Sequence, residues 1–236
     1  MLLKDFVYRY PFLVSIALAG AILLALFGLP RLAHDGLEAC DQLGRTPLIA
    51  AAEQGDRETV VALLRRGAIV ESRDNCRWTA LMKAAAGGHL DIARQLLDVR
   101  AFIDHRDKAG YSSLMVAVVN GHAPVVALLI ERGARLDFAD DNLGWTALIW
   151  AAKDGRPGIV RHLLAGGAEI DDADRKGNTP LMWAARGGHA SVIEQLLEVG
   201  ADPRLTNHAG QSAADLASVG RHPELARRLT SYLSTR

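Results

Sequence analysis

Residues 179–210 read TPLMWAARGGHASVIEQLLEVGADPRLTNHAG, and this stretch decides the fold. Thr179 is a helix cap, its hydroxyl placed to accept an orphan backbone N–H. Pro180 follows at the first helical position, where a missing N–H costs nothing. A short helix carrying Leu181, Ala184 and Ala185 is predicted, ended by Gly188 in the left-handed conformation. The small alanines let a neighbouring helix approach closely. A second helix comes next, with apolar residues at helical spacing, as at Val60, Val61, Leu63 and Leu64 of the equivalent stretch after Thr46. It stops at Gly200, and the Asp-, Asn- and Gly-rich remainder reads as an extended hairpin.

The same cap recurs at Thr46, Thr79, Ser112, Thr146, Thr179 and Ser212, at intervals of 33, 33, 34, 33 and 33 residues. Gly55, Gly88, Gly121, Gly155 and Gly188 end the first helices; Gly67, Gly133, Gly167 and Gly200, each followed by Ala, end the second ones. A unit this small cannot bury its own apolar face, so neighbours must stack. The predicted fold is an all-α-dominated solenoid of helix–turn–helix pairs with projecting β-hairpins, preceded by one N-terminal apolar helix.

The pattern T-[PA]-L-x-x-A-A-x-x-G-H-x-x-[VI]-x-x-L-L-x-x-G-A, nearly complete from Thr79, Thr146 and Thr179, resembles the ankyrin repeat. The resemblance covers residues 41–236, about five and a half units. The last, SAADLASVGRHPELARRLTSYL, is truncated and more charged, as a polar closing repeat is. Two departures stand out. The family's His at the fourth position is replaced by Ile49, Met82, Met115, Ile149 and Met182, so packing must substitute for its hydrogen bonds. Arg100 takes the place of the helix-ending glycine in the second unit, at a cost of roughly 1 kcal/mol for positive φ.

Lys and Arg number 27, Asp and Glu 27, and net charge is zero, so no general field attracts nucleic acid. The hairpins nevertheless differ. Residues 65–78 carry four arginines against Glu71 and Asp74, whereas residues 131–145 and 165–178 each carry two cations against four acids. Cys40 and Cys76 are the only cysteines, without metal-ligand spacing. They either remain two thiols or form a disulfide in an oxidising compartment; their offset of three places in the repeat register disfavours pairing.

Residues 12–29, FLVSIALAGAILLALFGL, hold no charge and lie between Pro11 and Pro30. At about 1.5 Å per residue this nearly spans a hydrocarbon core of roughly 30 Å. A cleaved signal peptide is an alternative, but cleavage after Ala33 would leave Arg31 three places back, a poor fit. The better reading is an uncleaved signal anchor. Lys4 and Arg9 precede the span and Arg31 follows it among Asp35, Glu38 and Asp41, which puts the N-terminus inside. The expected organisation is a cytoplasmic flank (1–11), a transmembrane anchor (12–30), a linker (31–43) and a repeat domain (44–236). For a bacterium this means a single-pass inner-membrane protein with its repeats in the periplasm; a soluble periplasmic form and cytoplasmic repeats are the alternatives.

The resemblance implies that hairpin bases and first helices line a concave, partner-binding face. The residues just before the caps include Trp78, Tyr111 and Trp145; four places after the caps come Lys83, Trp150 and Trp183. These six, with Lys153 and Arg186, are the candidate partner-binding residues, since large aromatic side chains make good anchors. Trp150 and Trp183 can equally fill the space between first helices, while Trp78 and Trp145 are expected to be more accessible. His89, His122 and His189 recur once per unit and belong to scaffold capping; at roughly the 10 Å spacing of packed helices they share no metal. No nucleophile motif, phosphate-cradling loop or metal cluster is present. No catalytic residue, cofactor or metal is expected. The function expected is a non-catalytic scaffold for an unknown protein partner, tethered through residues 12–29. The alternative is a protective or stabilising accessory to an enzyme of the same compartment.

Overall fold

The computed structural model describes residues 37–234. The anchor and flank expected at 1–30 lie outside them. Among the described residues, no helix is long and apolar enough to cross a membrane. Six helix pairs follow in order: α1 (Pro47–Gln54) with α2 (Arg57–Arg65), α3 (Ala80–Gly87) with α4 (Leu90–Asp98), α5 (Ser113–Asn120) with α6 (Ala123–Glu131), α7 (Ala147–Lys153) with α8 (Pro157–Ala165), α9 (Pro180–Gly187) with α10 (Ala190–Glu198), and α11 (Ala213–Val219) with α12 (Pro223–Ser234). The sixth pair has both helices, and α12 is the longest of these helices.

All six predicted caps act as such: each hydroxyl accepts the N–H three residues on, at 3.3–3.4 Å. Each first helix packs on its own second helix and on the first helices of its neighbours, more closely than second helices pack on one another. The asymmetry follows from composition, small alanines on one layer and branched residues on the other. Ile49, Met82, Met115, Ile149 and Met182, standing where the family has His, are essentially inaccessible. Each contributes about 2 kcal/mol by burial.

The recurring histidines bridge units instead of capping. His89, His122 and His189 occupy N-cap positions without bonding their own helices. Their Nε2–H groups reach back to the carbonyls of Glu53 (3.3 Å), Ala86 (2.8 Å) and Lys153 (2.9 Å) in the preceding unit. Arg156 replaces His in the fourth unit and donates to Val118 and Val119, both at 2.9 Å. Where a following unit's His packs close, only glycine fits: a Cβ on Gly188 would stand 2.5 Å from Nε2 of His222. Arg221 holds the equivalent place in the last unit, at φ 65°. Arg77 and Arg100 also adopt positive φ, 68° and 64°.

The projecting segments are not β-hairpins. Among the described residues the sole strand-like feature is an isolated antiparallel bridge between Arg106 and Ser112. Successive loops are joined by single backbone bonds, such as Asn75 N–H to the Leu43 carbonyl at 3.0 Å, and by carboxylates. Glu38, Glu71, Asp104, Asp137 and Asp171 each accept a backbone N–H from the next unit, at Ile69, Phe102, Arg135, Glu169 and Asp202 (2.7–3.3 Å). Arg204 stands at the sixth equivalent position. Glu38 also takes the Ser72 hydroxyl at 2.7 Å, and Leu37 is fully buried, so packing of the first unit starts inside the expected linker. Cys40 and Cys76 are both exposed and free.

Candidate functional site

An aspartate five residues before the cap organises the loop base at Asp41, Asp74, Asp107 and Asp174. Oδ1 of Asp74, Asp107 and Asp174 accepts the N–H groups two and four residues on, at 2.8–2.9 Å. This turn geometry suits Asp because its short side chain reaches its own backbone. The second oxygen is then left for a side chain. Asp74 Oδ2 pairs with Lys83 Nζ at 3.3 Å, and Asp107 Oδ2 takes the Trp78 indole N–H at 2.8 Å. Asp174 Oδ2 takes two indoles, those of Trp145 (3.2 Å) and Trp183 (3.0 Å).

Asp174 thereby fixes two rings of an aromatic row across the first-helix face. Tyr111 tilts against Trp150 at 6.2 Å between centroids, Trp150 meets Trp145 edge-on at 4.5 Å, and Trp145 meets Trp183 edge-on at 4.8 Å. Such edge-to-face pairs add about 1 kcal/mol each beyond their burial. Lys153 Nζ lies 5.6 Å from the Trp150 ring and 5.8 Å from that of Trp145; the Arg186 guanidinium lies 5.7 Å from Trp183. Trp78 stands apart in the second unit, with Lys83 Nζ 4.9 Å from its ring.

The electrostatics follow from contacts. Burial alone would raise the Asp174 carboxyl, but hydrogen bonds from Asn178, Lys176 and Trp183 outweigh it and hold it below the ordinary value of 3.8. Burial raises the Tyr111 phenol, helped by the charges of Asp140 and Asp107. Burial likewise raises Glu53, yet the bonds from Lys83 and Arg45 bring it below its ordinary value.

Of the eight candidate residues, Tyr111, Trp145, Trp150, Trp183, Lys153 and Arg186 come together across units three to five. Trp78 and Lys83 form a separate pair, and Glu53 and Asp74 already engage Lys83. Trp145 is only 6% exposed, against the expectation of accessibility; the following unit and Asp174 cover it. Trp78, Trp150 and Trp183 are half-buried, and Arg186 is exposed. The aspartates themselves were missed as site residues, although Asp41, Asp74, Asp107 and Asp174 each precede a cap by five places. Among the described residues, no group of three or more His, Cys, Asp or Glu is arranged to hold a metal ion.

A family model for ankyrin repeats (three copies) matches residues 20–107, 99–174 and 157–234. Among solved structures, similarity extends to a chain of "Bd0816 Predatory Endopeptidase from Bdellovibrio bacteriovorus in complex with immunity protein Bd3460". Identity is 32%, the TM-score is 0.74, and the alignment covers 82% of this chain and 99% of that one. No curated protein gave a significant match.

Proposed function

Because the chain belongs to the ankyrin repeat family, we propose that it is a non-catalytic binding protein whose first-helix face docks a peptidase of its own compartment and restrains it. The docking face rests on one observation: the aromatic row from Tyr111 to Trp183, rimmed by Lys153 and Arg186. Rigid aromatic rings beside a polar rim are the anatomy of a binding hot spot. The partner class rests on likeness to a chain of an endopeptidase–immunity protein complex over nearly the whole of that chain. The reading joins the scaffold and protective roles expected from the sequence.

Titration calorimetry of the full-length chain in detergent micelles against Bd0816, with hydrolysis by Bd0816 followed in parallel, tests it. Saturable one-to-one binding with falling hydrolysis is expected. No heat of binding and unchanged hydrolysis would refute the peptidase reading.

The apolar segment 12–29 is part of the proposal, as an anchor that leaves the repeats outside the cytoplasm. Its 18 uncharged residues and the cations Lys4 and Arg9 ahead of it support this orientation. A reporter enzyme active only outside the cytoplasm, fused after Arg236, should be active; an inactive fusion that is nevertheless expressed reverses the topology.

A further inference from the structure

The break in the repeat period has a local chemical result. In the second and fifth units, the residue four places after the cap reaches the carboxylate five places before it: Lys83 to Asp74 at 3.3 Å, Trp183 to Asp174 at 3.0 Å. Trp150 holds that position in the fourth unit. There the interval from Ser112 to Thr146 is 34 residues, one longer than the others, and the aspartate, Asp140, sits six places before the cap. In the longer loop both of its oxygens accept backbone N–H groups. Oδ1 takes the N–H groups of Asn142 (2.9 Å) and Leu143 (2.7 Å), and Oδ2 takes that of Trp145 (3.1 Å). The Trp150 indole N–H is left buried without an acceptor, whereas those of Trp78, Trp145 and Trp183 are all paired.

A buried donor without a partner is unfavourable, and the protein recovers that loss whenever an acceptor arrives. The Trp150 ring is half-buried between Tyr111 and Trp145, and Lys153 stands over its face with 40% of its side chain exposed. Lys153 Nζ, which pairs with Asp154 Oδ1 at 2.9 Å, marks the polar rim beside the ring. We propose that on docking the Trp150 indole turns about its side-chain torsions to present its N–H at this rim as a recognition donor, and that a surface loop of the docked peptidase supplies the acceptor oxygen that pairs with it. This rests on the peptidase-docking reading and adds the point of anchorage.

The test is nitrogen-15 NMR of the indole groups in the full-length chain in detergent micelles, with Bd0816 as the probe, alongside Trp150→Phe and Trp183→Phe. In the free protein the Trp150 indole signal, assigned by its loss in Trp150→Phe, should lie upfield of the other three. Saturating Bd0816 should move it downfield. Trp150→Phe should weaken Bd0816 binding about tenfold, the worth of one interfacial hydrogen bond, with little change in melting temperature. Trp183→Phe, which breaks a made bond, should lower the melting temperature. An unmoved Trp150 signal at saturation, or equal affinity of Trp150→Phe, overturns the proposal while leaving the peptidase reading intact. Failure of the unmodified chain to bind Bd0816 overturns both. If Trp150→Phe folds poorly, the signal shift in the unmodified protein decides.

Discussion

Asp174 and Trp145 are joined across a unit boundary: Oδ2 of the aspartate accepts the indole N–H at 3.2 Å, and the same oxygen accepts that of Trp183. Asp174→Ala leaves both donors and two loop N–H groups without a charged acceptor. It is expected to cost about 3 kcal/mol, as hydrogen bonds to ionised groups do. Loss of the near-ultraviolet tryptophan dichroism should accompany the lower unfolding midpoint in urea.

The pH dependence of that difference has a definite sign. The folded carboxyl of Asp174 lies below 3.8, so its stabilisation is present above pH 3.8 and is lost as the pH falls through the lower folded value. The gap between unmodified chain and Asp174→Ala should therefore close in urea titrations at and below that range. Asp171 is the counterexample, since burial raises its carboxyl. Asp171→Asn is expected to be neutral or stabilising at pH 7.

Lys153→Glu and Arg186→Glu should slow association with the partner, increasingly so at low salt, with stability changed by no more than about 0.5 kcal/mol. Both cations sit at the rim of the aromatic row, and neither is buried. Surface plasmon resonance at two ionic strengths against immobilised Bd0816 measures it.

Arg100→Gly should stabilise the array by about 1 kcal/mol, because φ of 64° is strained for any residue with a Cβ. The equivalent glycines 133, 167 and 200 have open space around an added Cβ, so only backbone strain is at issue. A thermal melt that does not rise would refute this.

Gly188→Ala and Gly200→Ala separate strain from collision. Both add a Cβ at positive φ, 76° and 101°. On Gly188 it also meets the His222 ring, and on Gly200 it meets nothing within 4 Å. Gly188→Ala should therefore be the more destabilising by 1 kcal/mol or more, on the order of an overpacked contact; equal losses in urea unfolding would contradict the inter-unit packing.

The caps, helix-ending glycines and stacking were legible because each is a local rule repeated along the chain, and Thr179, Pro180 and Gly188 state it in one unit. The loops were not. An Asp- and Gly-rich stretch looks alike whether it forms strands or carboxylate-held turns, and the choice depends on donors 31 to 34 residues away, such as Ile69 for Glu38. The histidines misled for a related reason: a residue at an N-cap position usually bonds its own helix, and only the neighbouring unit supplied the carbonyl that His122 prefers. The aromatic row was visible as a set of positions. Trp145 lost its accessibility to the fifth unit, whose approach no spacing within the fourth encodes.

Arg204 and Arg221 acquire meaning at the C-terminal end of the stack. Where Glu38 through Asp171 offer a carboxylate to the next unit, Arg204 offers a guanidinium, which accepts nothing. Where glycine admits the next unit's histidine, Arg221 carries a Cβ. The last unit therefore lacks both the acceptor and the clearance through which each earlier unit engages its successor.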